Sequence, residues 1–257
     1  MSTQLKVCFN GCSFTLGEGF PKELKHKYIY DQLLSNTCKF DSTNIAVSGS
    51  SNYTIFMRTA EAIQSKKYNM IFTQWSALNR IWLSPGPETY FFINDQKYPD
   101  FTYRDIYLSP KEKTQLTDTL LMLNHDYQNI FELIDYCGIL NQLAKVNSVK
   151  LFFINGLVPW TVDLTRSLNS KDLSSSLSDY TKDMLAFNTR SDDEIILYFS
   201  KLQDKFKELD QTNWINLFQS FMNNMVDVGP EGHHPGIISH QWMNNQIYNF
   251  LTTNKIL

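Results

Sequence analysis

Short apolar runs that end in small polar residues recur along the chain, with longer amphipathic stretches between them. Leu5 to Phe9 runs into Asn10-Gly11, and Asn44-Ile-Ala-Val47 runs into Ser48-Gly-Ser-Ser-Asn52. Met70 to Thr73 runs into Gln74-Trp-Ser76, Val149 to Ile154 into Asn155-Gly156, and Trp214 to Leu217 forms a weaker fifth run. Near-continuous apolar runs of this length predict strands covered on both faces, as in a parallel sheet. Between them, Tyr53–Gln64 places Ile55, Phe56, Thr59, Ala60 and Ile63 on one helical stripe, with Ser51 or Asn52 as cap. Gln128–Val146, Asp193–Leu209 and His240–Leu251 repeat the helical spacing. Alternating strands and helices predict an α/β fold: a doubly wound, mostly parallel five-stranded sheet flanked by helices.

Two stretches exceed a minimal version of that plan. Residues 84–119 are rich in Pro, Tyr, Asp and Lys, and residues 160–190 in Ser, Thr and Asp. Both follow a strand end, where open α/β sheets place their ligands, so they are expected either to wall a site or to be plain surface loops. The 257 residues suit one domain spanning 1–257 with two insertions.

Composition narrows the function classes. Eighteen Phe, thirteen Tyr and five Trp supply a large core, which excludes a wholly disordered chain. A net charge of −3 and no basic patch argue against nucleic acid as a partner. No apolar window approaches the roughly 20 residues that span a bilayer, and the first residues lack a signal-peptide layout. These features predict a cytoplasmic protein with no membrane partner. Cys8, Cys12, Cys38 and Cys137 form no CxxC pair and no zinc spacing with the five His, so they are expected to be reduced thiols without metal. No Gly-rich phosphate loop is present, and no cofactor is expected.

The candidate chemistry lies at the two ends of the chain. The first strand exits into Asn10-Gly-Cys-Ser13-Phe-Thr-Leu-Gly17. A Ser on a tight strand-to-helix turn can expose its hydroxyl while its own N–H points into the same space. Such a Ser can equally be a helix cap. Near the other end stands Asp227-Val-Gly-Pro-Glu231-Gly-His233-His234-Pro235. An acid three residues before a His, in a Gly/Pro-rich loop, can hold the imidazole in one tautomer, ready to take a proton from a hydroxyl.

Together these blocks resemble the SGNH (GDSL-like) hydrolase family, in a variant reading Gly11-Cys-Ser13-Phe-Thr that is seen in phage and bacterial proteins. Glu231-Gly-His-His234-Pro235 resembles the family's Asp-x-x-His-Pro, with Glu in place of Asp; Asp227 and His233 are the fallback acid and base. Asn44 to Asn52 looks like the oxyanion glycine loop, with Gly49 as donor. The third block departs from the family's Gly-x-Asn-Asp: Gln74, Ser76 and Asn79 are its candidate donors, and Asn79 is preferred. The resemblance implies the flavodoxin-like SGNH fold, with Ser13 as nucleophile, His234 as base and Glu231 as its orienter. It also implies an oxyanion hole of Ser13, Gly49 and Asn79. The implied substrate is a small acyl ester, acetyl on a carbohydrate among them. The rival reading is a non-catalytic module that binds glycan or serves phage assembly in the same pocket, and acyl transfer to a sugar would use the same residues.

Overall fold

The computed structural model describes residues 4–76, 126–156, 197, 200–201, 204–216, 220–232 and 234–257. The stretches 84–119 and 160–190 lie outside them.

Five parallel strands form the sheet in the order β2-β1-β3-β4-β5. They are β1 (Lys6–Asn10), β2 (Asp41–Asn44), β3 (Met70–Trp75), β4 (Lys150–Asn155) and β5 (Trp214–Ile215). The chain starts beside the middle, winds out to β2, then returns past β1 to β3, β4 and β5. This is the doubly wound arrangement expected from the sequence. The order reverses between β1 and β3, which makes their carboxyl ends the crevice where such sheets hold ligands.

Strand residues divide between the two faces by the two-residue period of the pleat. Cys8, Ile71, Trp75, Leu151 and Phe153 pack against α4 (Asn52–Gln64) and α5 (Asp126–Val146) through Ile55, Ile63, Ile134, Cys137 and Leu140. Val7, Phe9, Phe72, Phe152 and Ile154 face the other way. They meet α3 (Tyr30–Cys38) and α6 (Ile237–Thr253) through Tyr30, Leu34, Met243, Ile247 and Leu251. The central strand β3 is buried at all six positions, so its apolar run was readable. Within the expected 193–209 helix, the described residues up to 207 are helical.

Three expectations need correction. The second strand is Asp41–Asn44, not Asn44–Val47. It is an edge strand of Asp, Ser, Thr and Asn with alternate residues exposed, so it carries no apolar run. The apolar stretch after it leaves the ladder but stays fastened to the exit of β1, through Ile45 N–H to Phe9 O (2.8 Å) and Val47 N–H to Gly11 O (3.2 Å). The fifth strand ends at Ile215 because Asn216 turns into the left-handed region at φ +54°, which an extended strand cannot contain. Two short helices were not anticipated, α2 (Lys22–Tyr28) and α3. The first buries no residue, and the second turns in only Tyr30, Asp31 and Leu34.

All four cysteines are free, and three of them are buried. Burial pushes the Cys8 thiol up to about 12 and the Cys137 thiol well above its usual value, so neither is a nucleophile at neutral pH. Among the described residues no helix is long and apolar enough to cross a membrane, and no cluster of three His, Cys, Asp or Glu is placed to hold a metal.

Candidate active site

Ser13 is the first residue of α1 (Ser13–Leu16), a single turn at the carboxyl end of β1. As the first helical residue, its N–H has no partner within the helix. The residue is buried, at 3% exposure, and its hydroxyl makes no hydrogen bond among the described residues. The turn is fixed from below. Asn10 donates to Ile55 O and to Thr59 Oγ1 (both 2.8 Å), and its side-chain oxygen accepts the Gly11 N–H (2.9 Å). Thr15 donates to Gln74 Oε1 (2.6 Å) and accepts from the Tyr30 hydroxyl (3.1 Å).

The second block stands beside this turn. Asn44 donates to Thr15 O (2.7 Å), and Arg58 donates to Ile45 O (2.9 Å). Ser51, one of the two expected caps, accepts the Thr54 N–H at the start of α4. Gly49 takes φ +71°, a backbone conformation that a side chain would strain. Its N–H makes no hydrogen bond among the described residues.

The third block places its candidates unequally. Gln74 is wholly buried between Gly11, Gly156 and Thr15, where it braces α1, and its amide nitrogen has no hydrogen-bond partner among the described residues. The Ser76 N–H donates to Asn52 Oδ1 (2.8 Å), and the Ser76 carbonyl accepts from the Asn52 amide (3.5 Å). The third block is thereby pinned to the head of α4. Asn79 lies outside the described residues, as does His233.

The loop that carries His234, the expected base, closes on itself. Val228 and Pro235 form an antiparallel bridge, Gly229 N–H reaches His234 O (2.8 Å), and Gly236 N–H reaches Asp227 O (3.0 Å). It brings His234 to the Ser13 turn: the imidazole packs edge to face on Phe14, with ring centroids 5.9 Å apart. Its Nδ1 lies 3.8 Å from Glu231 Oε2, and its Nε2 lies 3.7 Å from Glu18 Oε2. Both contacts are at ion-pair range and too long for hydrogen bonds. Gly19, at φ +90°, leaves room for this approach, since a Cβ there would stand 3.3 Å from that of His234.

Asp227, the fallback acid, faces the head of α6. Its carboxylate accepts the Ile238 N–H (2.9 Å), the Ser239 N–H (2.7 Å) and the Ser239 hydroxyl (2.6 Å), which makes it a cap of α6. Partial burial raises its carboxyl, but the bonds from Ser239 and from the two N–H groups outweigh that, and its pKa falls below the usual value.

Two residues here carried no sequence signal. Glu18 matches no motif. His240 sits in an aromatic box of Phe20, Tyr30 and Phe221, with Nδ1 accepting the Tyr30 N–H (3.3 Å). Burial lowers its pKa to about 3, against a smaller opposing pull from Asp227, so the ring is neutral and structural.

No family model matches the chain, and no curated protein does. Among solved structures it is similar to the psychrotrophic esterase EstA from a Pseudoalteromonas species, at 9% identity and TM-score 0.47, covering 98% of this chain and 99% of that one. It is similar to a GDSL-like lipase from Bacteroides thetaiotaomicron at 12% and 0.46, covering 100% and 91%. A catalytic mutant of an acetylxylan esterase from Geobacillus stearothermophilus matches at 11% and 0.48, covering 98% and 96%. Likenesses this distant say nothing of activity, and the fold rests on the chain's own strand order.

Proposed function

We propose that the chain is a single-domain serine esterase of the SGNH type, which hydrolyses a small acyl ester such as an acetyl group on a carbohydrate. One observation carries the reading. The loop with His234 and Glu231, more than 200 positions along the chain from Ser13, packs its imidazole on the residue next to Ser13. The exposure of Ser13, at 3%, suits a small acyl group better than a long one.

In this mechanism Ser13 Oγ attacks the ester carbonyl carbon, and its proton passes to His234 Nε2. Glu231, at the other nitrogen, favours the imidazolium that forms. The N–H groups of Ser13 and Gly49, with the Asn79 amide as third donor, receive the oxyanion. Collapse breaks the ester C–O bond, and the leaving alkoxide takes the proton back from His234. Water then attacks the acyl-enzyme with His234 again as base, releasing the carboxylic acid and restoring Ser13. No cofactor enters any step.

The open hydroxyl of Ser13 favours a second reading, a non-catalytic module that binds an acylated glycan in the same crevice. Turnover of an activated acetyl ester separates the two. Under the esterase reading, Ser13→Ala lowers kcat/KM by about 10³-fold or more while the fold is kept. Equal turnover by both proteins would overturn it.

A further inference from the structure

Glu18 has no part in the steps above, yet one of its carboxylate oxygens meets two pieces of the site that come from distant parts of the chain. Oε2 accepts a hydrogen bond from the Ser48 hydroxyl, and the same oxygen lies 3.7 Å from His234 Nε2. Ser48 directly precedes Gly49. Glu18 is itself tied to the nucleophile, since its N–H donates to Ser13 O (3.0 Å). A single residue is thus tied to Ser13 through its backbone, while its side chain holds the residue before the oxyanion glycine and faces the base.

We propose that Glu18 is a positioning residue of this site, one that fixes the Gly49 loop and supports the charged form of His234. The inference rests on the esterase reading for what the two effects accomplish. During acyl transfer the imidazole begins neutral and becomes an imidazolium. A carboxylate at ion-pair range stabilises that charge, while its distance keeps it from taking the Nε2 hydrogen bond that Ser13 needs. The arrangement gives the imidazole a carboxylate beside each nitrogen, where a triad supplies one.

Glu231 and Glu18 are the two acids at ion-pair range of the His234 imidazole. Phe14 covers it from α1 without charge, and Glu231 comes from its own loop. From the root of the loop, Asp227 is turned toward Ser239 and the Ile238 N–H. Among the described residues no Lys or Arg forms an ion pair with Glu18 or Glu231. Glu18 is 37% exposed and His234 21%, so solvent weakens the coupling without abolishing it.

Two variants of the full chain separate the two effects. Gln at position 18 still offers an oxygen to Ser48 but carries no charge, whereas Ala removes both. The readouts are the titration of the His234 imidazole by NMR and the pH dependence of kcat and KM for p-nitrophenyl acetate. Circular dichroism checks that each variant is folded. In Glu18→Gln the His234 pKa falls by about half a pH unit, and the acid limb of kcat/KM moves down with it, because the base stays neutral to lower pH. Plateau kcat in that variant stays within about threefold. Glu18→Ala shows the same shift together with a roughly tenfold lower kcat and little change in KM, a fraction of what losing one oxyanion donor costs. An unmoved titration in Glu18→Gln, or an unmoved kcat in Glu18→Ala, overturns the inference. Wild-type protein that turns over no ester overturns the esterase reading instead, and Glu18 is then judged on the titration alone.

Discussion

The end of this crevice that holds Ser13, the proposed nucleophile, and the end that holds His234, the proposed base, are built in different ways. Around Ser13 the chain is buried and cross-braced, with Asn10, Thr15, Asn44 and Arg58 tying the exits of β1 and β2 to α4 and β3. Around His234 the chain is a half-open loop, bridged at its root and reaching its neighbours at ion-pair distances. The difference follows from position. The first end lies where parallel strands stop inside the core, so the polar side chains that brace it are paired with one another and with the backbone. The second projects from the head of α6 into solvent, where a carboxylate 60% exposed, such as Glu231, gains little from being held tightly.

The root of the base end offers the largest way to break this contrast. His240, on α6, is buried and neutral with a pKa of about 3, so as pH falls below 6.5 the unfolded chain binds a proton that the folded chain refuses. Stability is therefore present above pH 6.5 and lost on the way down to pH 3, by about 4 kcal/mol. Denaturant titrations at several pH values should show that slope, flattened in His240→Gln. A loop whose root were as loose as its tip would show no such slope.

At the rigid end, Asn10→Ala removes three buried hydrogen bonds and should cost about 2–3 kcal/mol in urea unfolding. A cost near zero would mean that the turn under Ser13 is not braced. Within the base loop, Asp227→Ala should lower stability by about 1–2 kcal/mol through loss of the α6 cap. Its plateau kcat/KM should stay within about threefold, and a collapse of activity with stability unchanged would return Asp227 to the role of orienting acid. Smallest of all, Glu231→Gln should slow ester turnover about three- to tenfold and move the acid limb to lower pH, since a base without its anion loses its proton more readily. An acid limb that stayed in place would take Glu231 out of the site.

What the sequence made legible follows the same division. Strands buried on both faces announce themselves as apolar runs, which is why β1, β3 and β4 were found within a residue or two. The edge strand β2 is Asp-Ser-Thr-Asn and leaves no such trace. Ser13, Gly49 and His234 stand out because a special turn or a Pro-flanked His is a local pattern. Glu18 does not, because its two partners lie 30 and 216 positions away, and only the folded crevice brings them together. Asp227 stayed an alternative for a related reason. An acid shortly before a His looks the same in sequence whether it faces the ring or caps the helix that follows.

The central claim, an activated Ser13, is tested most directly by labelling the folded protein with a fluorophosphonate probe and mapping the modified peptide. The account predicts a single adduct on Ser13, lost in Ser13→Ala and slowed at least about 100-fold in His234→Ala. Folded wild-type protein that takes up no probe at Ser13 would contradict it.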